Sequence, residues 1–366
     1  MLIIIPGVEI MADSLGADPI QALFNEELGV VLQVESNKLA LLAQVFHKAG
    51  FPPSAIHTIG RVTPENENVT VVQHSRAIYE TTRAELQKKW AETSFKMQSL
   101  RDDPTCAQEE FNAIEASATE NPGLRYNLSF DPALSRLPAS LTERPKVAIL
   151  REQGVNGHME MAWAFDMAGF QAVDVHMSDI LTGATTLKEF RGLAACGGFS
   201  YGDVLGAGAG WGKSILLNPV ARAEFEAFFH DEKKFALGVC NGNQLFGTLK
   251  PIIPGAEHWP VWKPNRSNRF EGRTCMVEIE KNTESIFLKP LAGSKLPIAI
   301  AHGEGRAEFE SDSDKNTLSD SGNVAIRYLD GDDKWATNYP ANPNGSPDAI
   351  GGVVGANGRI LGLMPQ

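Results

Sequence analysis

The sequence predicts an α/β protein with a large, mostly parallel sheet, preceded by a small α+β piece and an extended linker. From Lys146 onward, short apolar runs typical of buried strands alternate with segments of helical spacing. The first 80 residues combine strand-like and helix-like stretches on a smaller scale. Between residues 101 and 145, repeated prolines interrupt any periodicity. We therefore expect three parts, residues 1–80, 81–145 and 146–366.

The N-terminal piece is predicted from local patterns. Ser36 is a good helix N-cap, and the apolar residues that follow recur with helical spacing as far as Ala49. The predicted elements are a strand at 29–34, a helix at 36–49, strands at 56–62 and 69–73, and a helix at 83–100. Residues 101–145 are expected to form an extended connector lying over a surface.

The third part begins with the apolar run Val147–Leu150. Further strands are predicted at 172–176, 193–196, 235–239, 274–279, 297–301, 324–328, 350–354 and 359–363, with helices around 159–165 and 221–229. Strands and helices that alternate at this interval are typical of a parallel sheet with covered faces.

Composition and charge exclude several classes of protein. The 366 residues carry a net charge of −12 and are 43% hydrophobic, so we expect a globular core and neither nucleic acid nor membrane as partner. The four cysteines contain no C-x-x-C pair, which favours free thiols in a reducing compartment. The apolar start is short and interrupted by Pro6, so we expect no signal peptide and a cytoplasmic location.

The most informative motif surrounds Cys240. An apolar strand ends at Gly238, and Cys240 and Gly242 complete the pattern G-x-C-x-G before an amphipathic segment that ends at Leu249. This is the arrangement of a nucleophile elbow, in which a tight strand-to-helix turn exposes one side chain above the sheet. The start of a helix also lowers the pKa of a thiol. We therefore predict that Cys240 is a catalytic nucleophile.

The glycine-rich stretch Gly197–Ser214 contains two misleading patterns. Gly212-Lys213-Ser214 ends like a phosphate-binding loop, but Ala207 stands where that motif requires glycine. Ser200 lies in a G-x-S-x-G pattern, yet several glycines follow where a helix is needed, so a serine hydrolase is a weaker alternative.

A better use of this stretch is oxyanion binding. Gly197, Gly198 and Phe199 can present backbone N–H donors, and the N–H of Asn241 is the expected partner donor.

A cysteine nucleophile also needs a base. His302, beside Glu304 at the end of a predicted strand, is the candidate within the chain, although a structural role is the commoner one for such a histidine. Cys106, Cys196 and Cys275 lack an activating context and are expected to be packing residues. No histidine spacing indicates a metal site.

Taken together, these segments resemble the glutaminase part of phosphoribosylformylglycinamidine synthases. The resemblance covers nearly the whole chain from about residue 20. It is carried by Arg151–Asn156, Asp174–Asp179, Gly197–Ser214, Gly238–Gln244, Ala301–Arg306 and Tyr339–Pro347, with Ala22–Gly29 and Trp90–Thr93 similar to the synthetase half and the joining helix.

The resemblance implies a flavodoxin-like class I glutaminase domain. Glutamine would be hydrolysed through a thioester on Cys240, and the ammonia channelled to a synthetase half that uses ATP and Mg²⁺ to convert formylglycinamide ribonucleotide into its amidine. Gly198, Phe199 and Asn241 match the oxyanion loops, and Gln244 matches a substrate contact. The expected partners are glutamine and the remainder of the synthetase half, and no cofactor is expected within this chain.

One departure from the family pattern concerns the base. The family carries Met-Pro-His-Pro-Glu after its final strand, whereas this chain reads Met364-Pro365-Gln366. A neutral amide thus stands at the histidine position, so we expect a C-terminal fragment with weak or no turnover. A non-catalytic docking or scaffold module is the alternative.

Overall fold

The structure, a computed structural model, describes residues 7–116, 122–134 and 143–366. Parts of the predicted connector, residues 117–121 and 135–142, lie outside the described residues. The described chain divides into two compact units. The N-terminal unit comprises residues 7–94 and 113–116, and the main unit comprises residues 95–112, 122–134 and 143–366.

The N-terminal unit is a small α+β structure. Its elements are β1 (Gly7–Met11), α1 (Pro19–Phe24), α2 (Leu39–Lys48), β2 (Gly60–Thr63), β3 (Asn68–Gln73), β4 (Arg76–Thr82) and the start of α3 (Arg83–Arg101). The strand order is β2-β1-β3-β4, with β1 antiparallel to β2 and parallel to β3. Strand β1 was not predicted, although it lies at the centre of this sheet.

The predicted strand at 29–34 is wrong. These residues have no regular secondary structure, and Val30, Val31 and Leu32 are exposed. Their β-branched composition favours a strand, but a strand needs a neighbour with which to exchange backbone hydrogen bonds. The described part of the chain pairs no strand with them.

The predicted connector contains a helix that belongs to the main unit. Helix α4 (Pro104–Asn112) is held against residues 266–273 by ion pairs of Glu109 with Arg266 and of Glu110 with Arg273. The connector is therefore less extended than its prolines suggest. Pro104 is the first residue of the helix, where its missing N–H costs nothing.

The rest of the main unit alternates strands and helices. Its elements are β5 (Lys146–Arg151), α5 (His158–Met167), β6 (Gln171–His176), α6 (Met177–Leu181), β7 (Gly192–Ala195), α7 (Ala209–Leu216), α8 (Pro219–His230), β8 (Phe235–Val239), α9 (Asn241–Leu249), β9 (Val261–Lys263), β10 (Glu271–Ile279), β11 (Lys295–His302), β12 (Arg306–Glu308), α10 (Asp312–Asp320), β13 (Val324–Leu329), β14 (Ile350–Gly355) and β15 (Ile360–Leu363).

Nine of these strands form one sheet in the order β11-β10-β13-β14-β15-β8-β7-β5-β6. The five strands from β15 to β6 run parallel, and the remaining four continue the sheet in antiparallel fashion. The predicted α/β class is confirmed. Strands β5, β7, β8 and β15 are adjacent and parallel, so the loops that follow them leave the same edge of the sheet.

The core lies against this parallel section. Its largest fully buried side chains include Trp211, Phe225, Phe229 and Phe246, contributed by helices α7, α8 and α9. Phe246 approaches the backbone of β8, where the absence of a side chain on Gly238 leaves room for it. The elbow helix is therefore packed into the core along with the strand that precedes it. No helix in the described part of the chain is long and apolar enough to cross a membrane.

Leu193, at the centre of β7, tests the position of this core. The side chain is 0% exposed, so Leu193→Ala should lower the free energy of unfolding by about 2–5 kcal/mol. Leu217→Ala, at a residue 81% exposed, is the matched control and should change it by less than about 0.5 kcal/mol. Urea denaturation followed by circular dichroism measures both, and equal shifts would contradict this packing.

Candidate functional site

Cys240 lies at a sharp turn between β8 and α9. Its φ of 52° and ψ of −106° are unusual for a residue with a side chain. Backbone hydrogen bonds hold the turn on both sides, from the N–H of Cys240 to the carbonyl oxygen of Leu363 and from the N–H of Gln244 to the carbonyl oxygen of Cys240. Strained backbone of this kind is held only where the surroundings determine it.

The glycines on either side of Cys240 are required by close backbone approaches. A Cβ on Gly242 would lie 2.0 Å from the carbonyl oxygen of Ala195, and one on Gly238 would lie 2.6 Å from that of Gly242. Helix α9 therefore starts directly against strand β7. The G-x-C-x-G pattern in the sequence has this steric cause.

The loop after β7 is aligned by the loop after β5. The N–H of Phe199 donates to the carbonyl oxygen of Gly154, and the N–H of Asn156 donates to that of Gly197. This antiparallel bridge leaves the N–H of Gly198 on the side of Cys240, where it acts on the sulfur. The prediction that Phe199 supplies an oxyanion-binding N–H is therefore corrected, because this N–H already donates to the carbonyl oxygen of Gly154.

The thiol of Cys240 is 5% exposed. Burial raises its pKa to about 11, and the negative charge of Asp203 adds to the increase. The backbone N–H groups of Asn241 and Gly198 act in the opposite direction, because they stabilise negative charge on the sulfur. The same two N–H groups are therefore placed to receive charge that develops beside the sulfur.

Asn241 and Gln244 connect this turn to the other loops. The side chain of Asn241 accepts from the N–H of Ser200 at 3.2 Å and donates to Oε1 of Gln244 at 3.0 Å. Nε2 of Gln244 donates to the backbone oxygen of Glu304 at 2.5 Å. The carboxylate of Glu304 accepts from the N–H of Ala207 at 3.1 Å. Three loops are thus joined beside Cys240.

His302 is not placed as a base for Cys240. Its ring is 2% exposed and lies over Gly305, and neither ring nitrogen has a hydrogen-bond partner among the described residues. Burial lowers its pKa to about 4, so the ring is neutral at pH 7. The sulfur of Cys240 lies instead 3.7 Å from the backbone carbonyl oxygen of Ala301, the residue that precedes His302.

The side chain of Gln366 shares a hydrogen-bond acceptor with the thiol of Cys240. Its Nε2 donates at 3.4 Å to the carbonyl oxygen of Ala301, the atom that also accepts from Cys240. Its Oε1 approaches Gly197 so closely that a Cβ there would lie 2.9 Å away. The side chain at the position predicted for a base therefore reaches the same carbonyl oxygen as the sulfur, and it is an amide.

The two misleading patterns do not form the sites that they resemble. Ser200 lies on a single 3-10 turn (Ser200–Asp203), and the next helix begins only at Ala209, so it lacks the elbow geometry. Lys213 and Ser214 lie within α7, where the hydroxyl of Ser214 donates to the carbonyl oxygen of Trp211. The described residues contain no group of three or more histidine, cysteine or acidic side chains suited to a metal.

Sequence reasoning missed two residues of this site. Asn265 is 1% exposed and holds the loop after β11, donating to the carbonyl oxygen of His302 and accepting from the N–H of Gly305. Asp203 lies in the loop after β7 with a φ of 55°. Asn265 has no local signal because its partners are distant in sequence. The Gly202-Asp203 pair predicts a turn, but no proximity to Cys240.

The raised pKa of Cys240 predicts how its reactivity depends on pH. Only the thiolate is alkylated, so the rate of reaction with iodoacetamide should rise about tenfold per pH unit from pH 7 to 10. Peptide mapping by mass spectrometry gives the rate at Cys240, and the Cys240→Ser variant reports the background from other cysteines. A plateau near pH 8.5 would contradict a buried, unactivated thiol.

Comparison with known proteins places this geometry in a family. Residues 144–366 match the model of the CobB/CobQ-like glutamine amidotransferase domain. The chain is 49% identical over 365 residues, 98% of its length, to the phosphoribosylformylglycinamidine synthase of Schizosaccharomyces pombe. It spans 27% of that relative's length.

Solved structures similar to this chain include two from Thermotoga maritima. One is PurLQS, with a TM-score of 0.45 and 24% identity over 61% of this chain and 88% of that one. Another is a glutamine amidotransferase, with a TM-score of 0.35 and 15% identity over 61% of this chain and 76% of that one.

The family match covers the whole nine-stranded sheet and the loops around Cys240. The resemblance to phosphoribosylformylglycinamidine synthases found in the sequence is confirmed by the identity over nearly the full chain. The chain therefore belongs to the CobB/CobQ-like glutamine amidotransferase family.

Proposed function

We propose that this chain releases ammonia from glutamine for an ATP-dependent synthetase half in purine biosynthesis, in the cytoplasm. The observation that carries the proposal is the Cys240 elbow, where a thiol at a helix N-terminus faces the N–H groups of Gly198 and Asn241. Its partners are glutamine and the remainder of the synthetase, which takes up the ammonia through a channel.

The chemistry follows from this geometry. The thiolate of Cys240 attacks the side-chain amide carbon of glutamine, and the carbonyl oxygen becomes an oxyanion that accepts from Gly198 and Asn241. Collapse of this intermediate breaks the C–N bond, and the nitrogen leaves as ammonia after gaining a proton. Water then hydrolyses the glutamyl thioester, which gives glutamate and restores the thiol. Loss of one such donor typically costs about 10²–10³ in rate.

Gln366 limits this reaction in the chain as it stands. The leaving nitrogen needs a proton donor and the thiol needs a base, and a positioned acid–base residue contributes about 10²–10⁴-fold. An amide can neither accept nor supply that proton at neutral pH. With the pKa of the thiol raised to about 11, we expect this chain alone to hydrolyse glutamine slowly or not at all.

ATP and Mg²⁺ belong, in this proposal, to the synthetase half. The residues of this chain that resemble a phosphate-binding loop do not fit a nucleotide, since Lys213 and Ser214 lie inside α7 and the N–H groups ahead of them do not follow a strand. No chemical step on this chain needs either group.

Active-site labelling tests the nucleophile. The chloroketone analogue of glutamine, L-2-amino-4-oxo-5-chloropentanoate, should alkylate Cys240 stoichiometrically, and L-glutamine should protect it. Tryptic mapping by mass spectrometry locates the adduct. Ser200→Ala should still be labelled, whereas Cys240→Ser should not. An adduct on Cys106, Cys196 or Cys275 instead would sink the assignment.

Replacing the amide with a base tests the limit on turnover. Gln366→His should raise glutamate release by about 10²-fold, because an imidazole then replaces an amide that shares the carbonyl oxygen of Ala301 with the thiol. Glutamate dehydrogenase coupling measures the release, and the double variant with Cys240→Ser should show no rise. If Cys240 is labelled but Gln366→His gains nothing, a non-catalytic docking module becomes the better description.

A further inference from the structure

The 3-10 turn at residues 200–203 carries polar side-chain atoms that nothing in the described protein satisfies. The hydroxyl oxygen of Ser200, a residue 1% exposed, and Oδ1 of Asp203 are both buried without a hydrogen-bond partner among the described residues. Buried polar groups are nearly always paired, so these two atoms on one turn are available as hydrogen-bond partners for a ligand.

The turn is fixed directly beside the candidate nucleophile. The N–H of Ser200 donates to Oδ1 of Asn241, the residue that follows Cys240. The carbonyl oxygen of Asp203 accepts from the N–H of Gly206, and the next residue, Ala207, donates to the carboxylate of Glu304. Asp203 is thus held between the Cys240 turn and the loop after β11.

The backbone of the turn supports a functional role. Tyr201, Gly202 and Asp203 have φ values of 55°, 59° and 55°, so two consecutive left-handed residues precede a left-handed aspartate. Such backbone is costly for residues with side chains and tends to persist at binding sites. Here Asp203 is half-buried, and one oxygen of its carboxylate, Oδ1, is shielded from solvent.

The charges on this side of the site are negative. Burial and the neighbouring Glu304 raise the pKa of Asp203 to about 6, and the charge of Asp203 in turn raises the pKa of Cys240. A bound cation relieves the repulsion between Asp203 and Glu304 and offsets the negative charge of Asp203 that acts on the thiol. A metal ion is a poor fit, because no cluster of three or more suitable ligands exists among the described residues.

We propose that Asp203, supported by Glu304, binds the α-ammonium group of glutamine and so selects an amino-acid amide over an uncharged or purely anionic one. The inference rests on the proposed glutaminase function. Glutamine places a cation four bonds from the amide carbon that Cys240 attacks. The hydroxyl of Ser200, on the same turn, is the hydrogen-bond partner expected for the same head group.

The test uses the 366-residue chain and does not require turnover. Cys240 is alkylated with iodoacetamide in the presence of L-glutamine or of 5-amino-5-oxopentanoate, which has the same amide and carboxylate but no ammonium group. The readout is the concentration of each compound that halves the rate. In the wild-type chain, the concentration of glutamine that halves the rate should be at least about tenfold lower than that of 5-amino-5-oxopentanoate.

Asp203→Asn should abolish most of this preference, because it weakens the binding of glutamine but not that of 5-amino-5-oxopentanoate. Both compounds should then protect Cys240 at similar concentrations. Glu304→Gln should reduce it in part. Asp320→Asn, at an exposed aspartate at the end of α10, is the matched control and should leave the ratio unchanged.

Two results would overturn the inference. One is a wild-type chain that binds both compounds equally well, a result that stands even if Asp203→Asn fails to fold. The other is an Asp203→Asn chain that binds both compounds more weakly by the same factor, which is the result expected if Asp203 has only a structural role. If the chloroketone labels Cys240 but Asp203→Asn leaves the ratio of the two protecting concentrations unchanged, only this inference fails. If neither glutamine nor 5-amino-5-oxopentanoate protects Cys240, the glutaminase proposal fails and this inference fails with it.

Discussion

The left-handed backbone at Cys240 is the constraint on which the site depends. Strand β15 holds it through the hydrogen bond from the N–H of Cys240 to the carbonyl oxygen of Leu363. Strand β7 holds it by contacting the backbone of Gly242. Any side chain on Gly238 or Gly242 would push α9 away from the sheet. The direction of the thiol is therefore a property of four packed elements and not of the turn alone.

The loops around the turn are ordered by a single chain of hydrogen bonds. It runs from the N–H of Ser200 through the amides of Asn241 and Gln244 to the backbone of Glu304, and Asn265 fixes the far end. Because three of these four bonds are buried, each unmade partner among them would cost about 1–3 kcal/mol. The network rigidifies the Gly198 loop relative to the sulfur, which is what preorganised oxyanion binding needs.

The sequence predicts the parts of this arrangement that have local causes. The parallel strands, the elbow and its flanking glycines follow from apolar runs and from one spacing pattern, and the structure has strands or turns at those positions. What depends on distant pairing was missed or wrong: strand β1, the absent strand at 29–34, the engaged N–H of Phe199, and the unpartnered ring of His302. Helix α4 was missed because ion pairs with residues 266–273, not its own periodicity, hold it in place.

The electrostatics of the site connect substrate binding with nucleophile activation. In the free chain, burial and Asp203 raise the pKa of Cys240 to about 11, so almost no thiolate exists at neutral pH. A cation bound at Asp203 removes the repulsive contribution and adds an attractive charge near the sulfur, and both effects lower the pKa of the thiol. If Asp203 holds the ammonium group of glutamine, the substrate itself favours the reactive thiolate. The thiol is then unactivated in the absence of glutamine because the same carboxylate, that of Asp203, both binds the ammonium group of glutamine and raises the pKa of Cys240 when no cation is bound.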